Sequence, residues 1–167
     1  MVVRSRVIVA TASLAGLLLL AACGDDSGAV TSPNPPPANV SGLYYGSWTL
    51  QVLRKSDGFQ KAFYCPGQWT FSTSASGAVS GFAVVDSPCA PESYTLAGTV
   101  TSGGAVEYTT NAPRPTEGPC PGAQDVRFSG QITNNGGYST FSARGTTTVT
   151  CPAFGEHEYT YLINGTK

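Results

Sequence analysis

The sequence predicts an all-β domain over residues 40–167: an eight-stranded antiparallel up-and-down meander that closes into a barrel, with a β-sandwich as the alternative fold. Three observations predict it. Helical periodicity is absent after the first 22 residues. β-Branched and aromatic runs alternate with Gly, Asn, Ser and Pro clusters, the pattern of short antiparallel strands. Cys65, Cys89, Cys120 and Cys151 form an even set that suits two disulfides in an exported domain.

The chain opens differently. Arg4 and Arg6 precede an apolar run from Val7 to Leu20 that is short for a membrane span and reads as the core of a signal peptide, residues 1–22. Leu20-Ala21-Ala22-Cys23 resembles the lipobox of bacterial lipoproteins. That resemblance implies that Cys23 is acylated on its sulfur and amine and becomes the mature N-terminus. Several acyl chains, each at about 0.8 kcal/mol per buried CH₂, then hold the protein to a membrane. Gly24 stands where an aspartate is the familiar inner-membrane retention signal, which implies the outer membrane of the cell envelope. Residues 23–39 include Pro33 and Pro35-Pro36-Pro37 with almost nothing to bury, so they are expected to form a disordered, semi-extended tether.

Eight strands are expected: Leu43 to Leu53, Gly67 to Thr73, Ala78 to Val85, Ser93 to Thr101, Ala105 to Thr110, Asp125 to Thr133, Tyr138 to Val149 and His157 to Asn164. Side chains alternate faces along a strand. One face therefore collects Tyr44, Trp48, Leu50 and Val52, then Trp69 and Phe71, then Tyr94, Leu96 and Val100, then Val106 and Tyr108. It continues through Val126, Phe128 and Ile132, then Phe141, Ala143 and Val149, and ends with Tyr159, Tyr161 and Ile163. Glycines at 46, 81, 98, 130 and 145 interrupt five strands and mark bends that let a sheet curl, which favours a barrel over a sandwich.

In a meander, alternate connections fall at the same end. Long loops are expected after the odd strands, at Arg54 to Pro66, Asp86 to Glu92, Asn111 to Gln124 and Thr150 to Glu156, all at one end. Cys65 and Cys89 flank one hairpin at that end. Cys120 and Cys151 lie nearly symmetrically about the turn at Asn134 to Gly137. The pairs Cys65–Cys89 and Cys120–Cys151 are the favoured connectivity of the three possible.

Charge and motif content narrow the function classes. Removal of residues 1–22 takes Arg4 and Arg6 from nine basic side chains and none of the ten acidic ones, leaving a net side-chain charge of −3. Nucleic-acid binding rests on a basic footprint, so no nucleic-acid partner is expected. No Cys-x-x-Cys pair is present and His157 is the lone histidine, which gives no familiar metal set. There is no Gly-x-Ser-x-Gly elbow, phosphate loop or dinucleotide fingerprint, and no catalytic residue or cofactor is assigned. Glu156-His157-Glu158 on a strand puts the carboxylates on one face and the imidazole on the other. Arg54, Lys55, Lys61 and Arg114 are read as solvated loop cations.

Gly46-Ser47-Trp48 resembles the Gly-x-Trp signature of lipocalins. That resemblance implies an eight-stranded barrel holding a small, often apolar ligand at its open end, beneath a long loop after the first strand. Where lipocalins pack an arginine on the signature tryptophan after the last strand, this chain has Lys167. Inward residues near the stapled end are expected to be Val52, Trp69, Val85, Tyr94 and Tyr159, with His157 at the rim. The expected role is a non-catalytic binding module for a small amphipathic molecule or another envelope component. The alternative is an interaction lipoprotein with a filled barrel and no pocket, and the aromatic content of the inward face points to filling.

Overall fold

The computed structural model describes residues 34–167 except 87, 88, 90, 91, 116, 117 and 119. The signal peptide, Cys23 and the tether up to Pro33 lie outside the described residues.

Eight strands follow in chain order: β1 (Gly42–Arg54), β2 (Gln60–Thr73), β3 (Ala78–Val85), β4 (Glu92–Val100), β5 (Ala105–Arg114), β6 (Gly122–Asn134), β7 (Ser139–Cys151) and β8 (Gly155–Thr166). Each pairs antiparallel with the next. β1 also pairs with β8, from Tyr45 opposite Thr166 to Arg54 opposite His157, so the meander is a closed barrel and not a sandwich. Closure leaves no sheet edge to recruit another strand.

The alternation read from the sequence sorts the two faces. Every inward candidate is buried except Val149, which is partly buried and packs against the core. An eight-stranded barrel is just wide enough for its own side chains, and here eight aromatic rings fill it: Tyr44, Trp48, Trp69, Phe71, Phe128, Phe141, Tyr159 and Tyr161 are all under 2 % exposed. Phe71 and Phe141 meet edge to face at 4.9 Å, and Tyr108 lies flat on Phe128 at 5.0 Å. Contacts of this kind contribute about 0.5–1.5 kcal/mol beyond the area they bury.

Two inward glycines show how the wall curls. A Cβ on Gly46 would stand 1.8 Å from the Asn164 carbonyl oxygen, and one on Gly81 would stand 1.7 Å from that of Thr70. The neighbouring backbone occupies the space a side chain would need, so these positions bend the strands inward.

Two of the four expected long loops are instead tight turns. The connection after β1 spans 55–59, because the first half of β2 pairs with β1 from Leu53 opposite Gln60 to Ser47 opposite Pro66. The sequence expectation ends that loop at Pro66, a residue that lacks a ladder donor. In the barrel the Pro66 carbonyl accepts the Asp86 amide on the β3 side. The missing N–H faces the same side, past the last β2–β3 pair of Gly67 and Val85, and the β1 ladder loses nothing. The connection after β7 is likewise only 152–154, closed by the Phe154 amide donating to Cys151 O at 3.1 Å. The longer connections are 86–91 and 115–121. The long lid after the first strand that the lipocalin resemblance implies is therefore a paired ribbon.

The opposite end is closed. Val40 is fully buried, its carbonyl accepts the Tyr44 hydroxyl at 3.1 Å, and its amide donates to Thr73 Oγ1 at 3.2 Å. Within the stretch expected as tether, Ala38 packs on the core and donates its amide to Thr101 O at 3.1 Å. Lys167 Nζ donates to Ser41 O at 2.6 Å and stands 5.3 Å from the centre of the Tyr44 ring, so the terminal cation packs on Tyr44 and not on Trp48.

Candidate functional site

With one end plugged and the interior filled, the open space of the barrel lies at its mouth on the stapled end. Both disulfides form there as expected, Cys65–Cys89 and Cys120–Cys151, with Cα separations of 6.0 and 5.7 Å. The mouth is a hollow of about 280 Å³. Val52, Phe63 and His157 make its floor, all buried. Arg54, Phe59, Lys61 and Phe154 rise around it, and Gly118 closes it from the 115–121 connection.

Local sequence builds each wall. In the β1–β2 turn the Arg54 amide donates to Phe59 O at 2.9 Å, and the Phe59 amide donates to Asp57 Oδ1 at 3.1 Å, an Asx-type turn. Arg54 grips Asp57 with two parallel bonds, Nε to Oδ1 at 2.9 Å and Nη2 to Oδ2 at 2.7 Å, and its guanidinium stands 5.1 Å from the centre of the Phe59 ring. The fork lowers the Asp57 carboxyl below the usual carboxylate range, chiefly through the Arg54 hydrogen bond. Lys61 and Phe63 alternate inward along β2, and Lys61 Nζ lies 4.6 Å from the Phe63 ring centre.

His157 is 3 % exposed. Its Nδ1 lies 3.1 Å from Gly155 O, which assigns the proton to that nitrogen, and 3.5 Å from Cys151 Sγ of the second disulfide. Glu156 and Glu158 project away from the imidazole and hold Lys55 on the outer wall at 3.0 and 3.8 Å. The two faces of that tripeptide separate as the strand period requires.

Val52 and His157, of the six expected binding residues, line the hollow. Tyr159 pairs with Val52 yet is fully buried, and Trp69, Val85 and Tyr94 belong to the packed interior. Of the four loop cations, Arg54 and Lys61 line the mouth and Lys55 is ion-paired outside it. Arg114 ties down its own loop, with Nε donating to Cys120 O at 2.7 Å and Nη1 to Gln124 Oε1 at 2.8 Å.

Sequence reasoning missed Phe59, Phe63 and Phe154. Phe63 was legible in principle, since it continues the inward period of β2 once Pro66 is allowed inside the strand. Phe59 and Phe154 sit in or beside turns, where no period operates.

Below the floor, Trp48 Nε1, Trp69 Nε1 and the hydroxyls of Tyr108, Tyr159 and Tyr161 are buried without a hydrogen-bond partner among the described residues. Desolvation raises the Tyr108 and Tyr161 phenols far above their ordinary pKa, opposed at Tyr161 by the Arg114 charge. Among the described residues, no three His, Cys, Asp or Glu side chains converge as a metal site would need.

The chain matches no protein-family model and no curated protein by sequence.

Proposed function

We propose that this protein is a non-catalytic binding module, held at the outer membrane of a bacterial envelope by an acylated Cys23, that takes a small amphipathic ligand at the stapled end of its barrel. One observation carries the reading: an apolar hollow with a charged rim lies on a rigid, filled and doubly stapled scaffold. Such concave, mostly apolar sites with a few polar groups are where small molecules bind. Binding and catalytic groups also concentrate on loops that a rigid scaffold holds in place. Because rings fill the interior, the ligand sits at the mouth and not within the barrel.

The anchor and the site are tested separately. Labelled palmitate should enter the wild-type protein and not Cys23→Ser, and the substituted protein should leave the detergent phase. Anilinonaphthalene sulfonate, an aromatic anion, should fluoresce on the wild type and much less on Phe154→Ala. Equal signals from the two proteins would remove the mouth as the binding site.

A second reading has its own support. Leu43, Tyr45, Tyr64 and Phe82 stand exposed on the outer wall of β1, β2 and β3, with Tyr64 at 70 %. That wall suits an envelope protein partner and requires no pocket.

A further inference from the structure

We infer that the ligand of the mouth is a small carboxylate with one apolar ring or short chain, bound with its anionic group at Lys61 Nζ and its apolar part against Phe59, Phe63 and Phe154. This rests on the reading of the mouth as the binding site.

Charge arrangement carries the inference. Arg54 and Asp57 neutralise each other in their fork, and Lys55 is taken by Glu156 and Glu158 outside the hollow. None of the described residues lining the hollow has a carboxylate, and Lys61 has no carboxylate within ion-pair distance among the described residues. Among the described residues the mouth therefore keeps one uncompensated positive charge. Its position is informative: Nζ lies 4.6 Å from the centre of the Phe63 ring, so the ammonium is folded over the apolar floor. A cation held there suits an anion whose remaining surface is apolar, since both halves of such a molecule find a partner within a few ångströms. A charge-assisted bond to Lys61 is also stronger than a neutral one.

Size limits the class further. A hollow of about 280 Å³ lies just below the usual range for small-molecule sites, which matches one ring or a short chain. The imidazole at the floor has its Nδ1–H committed to Gly155 O, so that donor does not compete for the carboxylate.

The test uses the full mature protein in lipid nanodiscs, titrated calorimetrically with phenylpropionate and with its uncharged amide against empty nanodiscs. At low salt the carboxylate should bind about three- to tenfold more tightly than the amide, the range expected of a partly exposed charge-assisted pair. Lys61→Gln should erase that advantage by weakening the carboxylate much more than the amide, while Phe154→Ala should weaken both probes. Equal affinity of the two probes for the wild type would overturn the carboxylate class and leave the binding site standing. Saturable binding of neither probe at millimolar concentration would overturn the class and the site together. If Lys61→Gln leaves the preference intact, the assignment of the anion to Lys61 is wrong.

Discussion

Trp48 and Trp69 stack inside the barrel with ring centroids 6.3 Å apart and planes inclined by 16°, and neither is exposed. Trp48 also meets Phe128 and Tyr161 edge to face at 5.9 and 5.5 Å, so it is the hub of the interior. Trp48→Ala should cost about 3–5 kcal/mol, the range for deleting a buried aromatic. Trp48→Phe should cost much less, because it keeps a ring in place and removes an indole N–H that has no partner among the described residues. Denaturant unfolding of the two variants measures the difference. Equal losses would mean that the N–H is satisfied and the ring alone is not what matters.

The interior was legible in the sequence because a strand has one period, and Tyr44, Trp48, Leu50 and Val52 keep it, with Gly46 the single gap. Closure was legible from glycines such as Gly46 and Gly81, whose inward positions fit a curled wall and no flat one. The mouth was hidden for two physical reasons. Pro66 looks like a strand end unless the direction of its missing N–H is known, and that depends on where β3 stops. Phe59 and Phe154 gain their roles from turns that bring distant parts of the chain to one rim, which no local pattern encodes. Lys61 looked like a solvated loop cation for the same reason: its inward direction follows only from β2 beginning at Gln60.

Gly46 is open to direct test. Its Cα faces the Asn164 carbonyl, and a methyl group there would overlap backbone that cannot rotate away. Gly46→Ala should cost about 3 kcal/mol, at the upper end for overpacking, and should loosen the β1–β8 seam first. Hydrogen exchange at Ser47 and Trp48 should accelerate more than at Val106 or Phe128 on the far wall. Uniform acceleration would mean that the seam is not the weak point.

Burial also sets an alkaline limit. Desolvation raises the phenols of Tyr44, Tyr108, Tyr159 and Tyr161, with partial opposition from a Ser139 hydrogen bond at Tyr44 and from the Arg114 charge at Tyr159 and Tyr161. In the unfolded chain a phenol ionises near pH 10. The unfolded state therefore loses protons that the folded state retains, and stability falls as pH rises above about 10, having been fully present below it. Urea midpoints should drop steeply between about pH 10 and 11. Tyr161→Phe should flatten that fall. A midpoint independent of pH across this window would show that the buried phenols ionise in place.

The two disulfides should separate in function although they resemble each other in stability. They close spans of 24 and 31 residues, and loops of that size correspond to about 3–4 kcal/mol each in the chain-entropy model. Cys65→Ala with Cys89→Ala, and Cys120→Ala with Cys151→Ala, should therefore lower the melting temperature by similar amounts. Among the described residues only the second pair touches the mouth: Cys151 Sγ lies 3.5 Å from His157 Nδ1, and Cys120 anchors the connection that carries Gly118 to the rim. Loss of that bridge releases both the imidazole of the floor and one wall. Probe affinity should fall in the Cys120/Cys151 variant at temperatures where both variants are folded, and stay near wild type in the Cys65/Cys89 variant. Calorimetric titration at a temperature where circular dichroism shows both variants folded reads the two affinities side by side. Equal affinity in the two variants would detach the Cys120–Cys151 bridge from the site and leave it with stability alone.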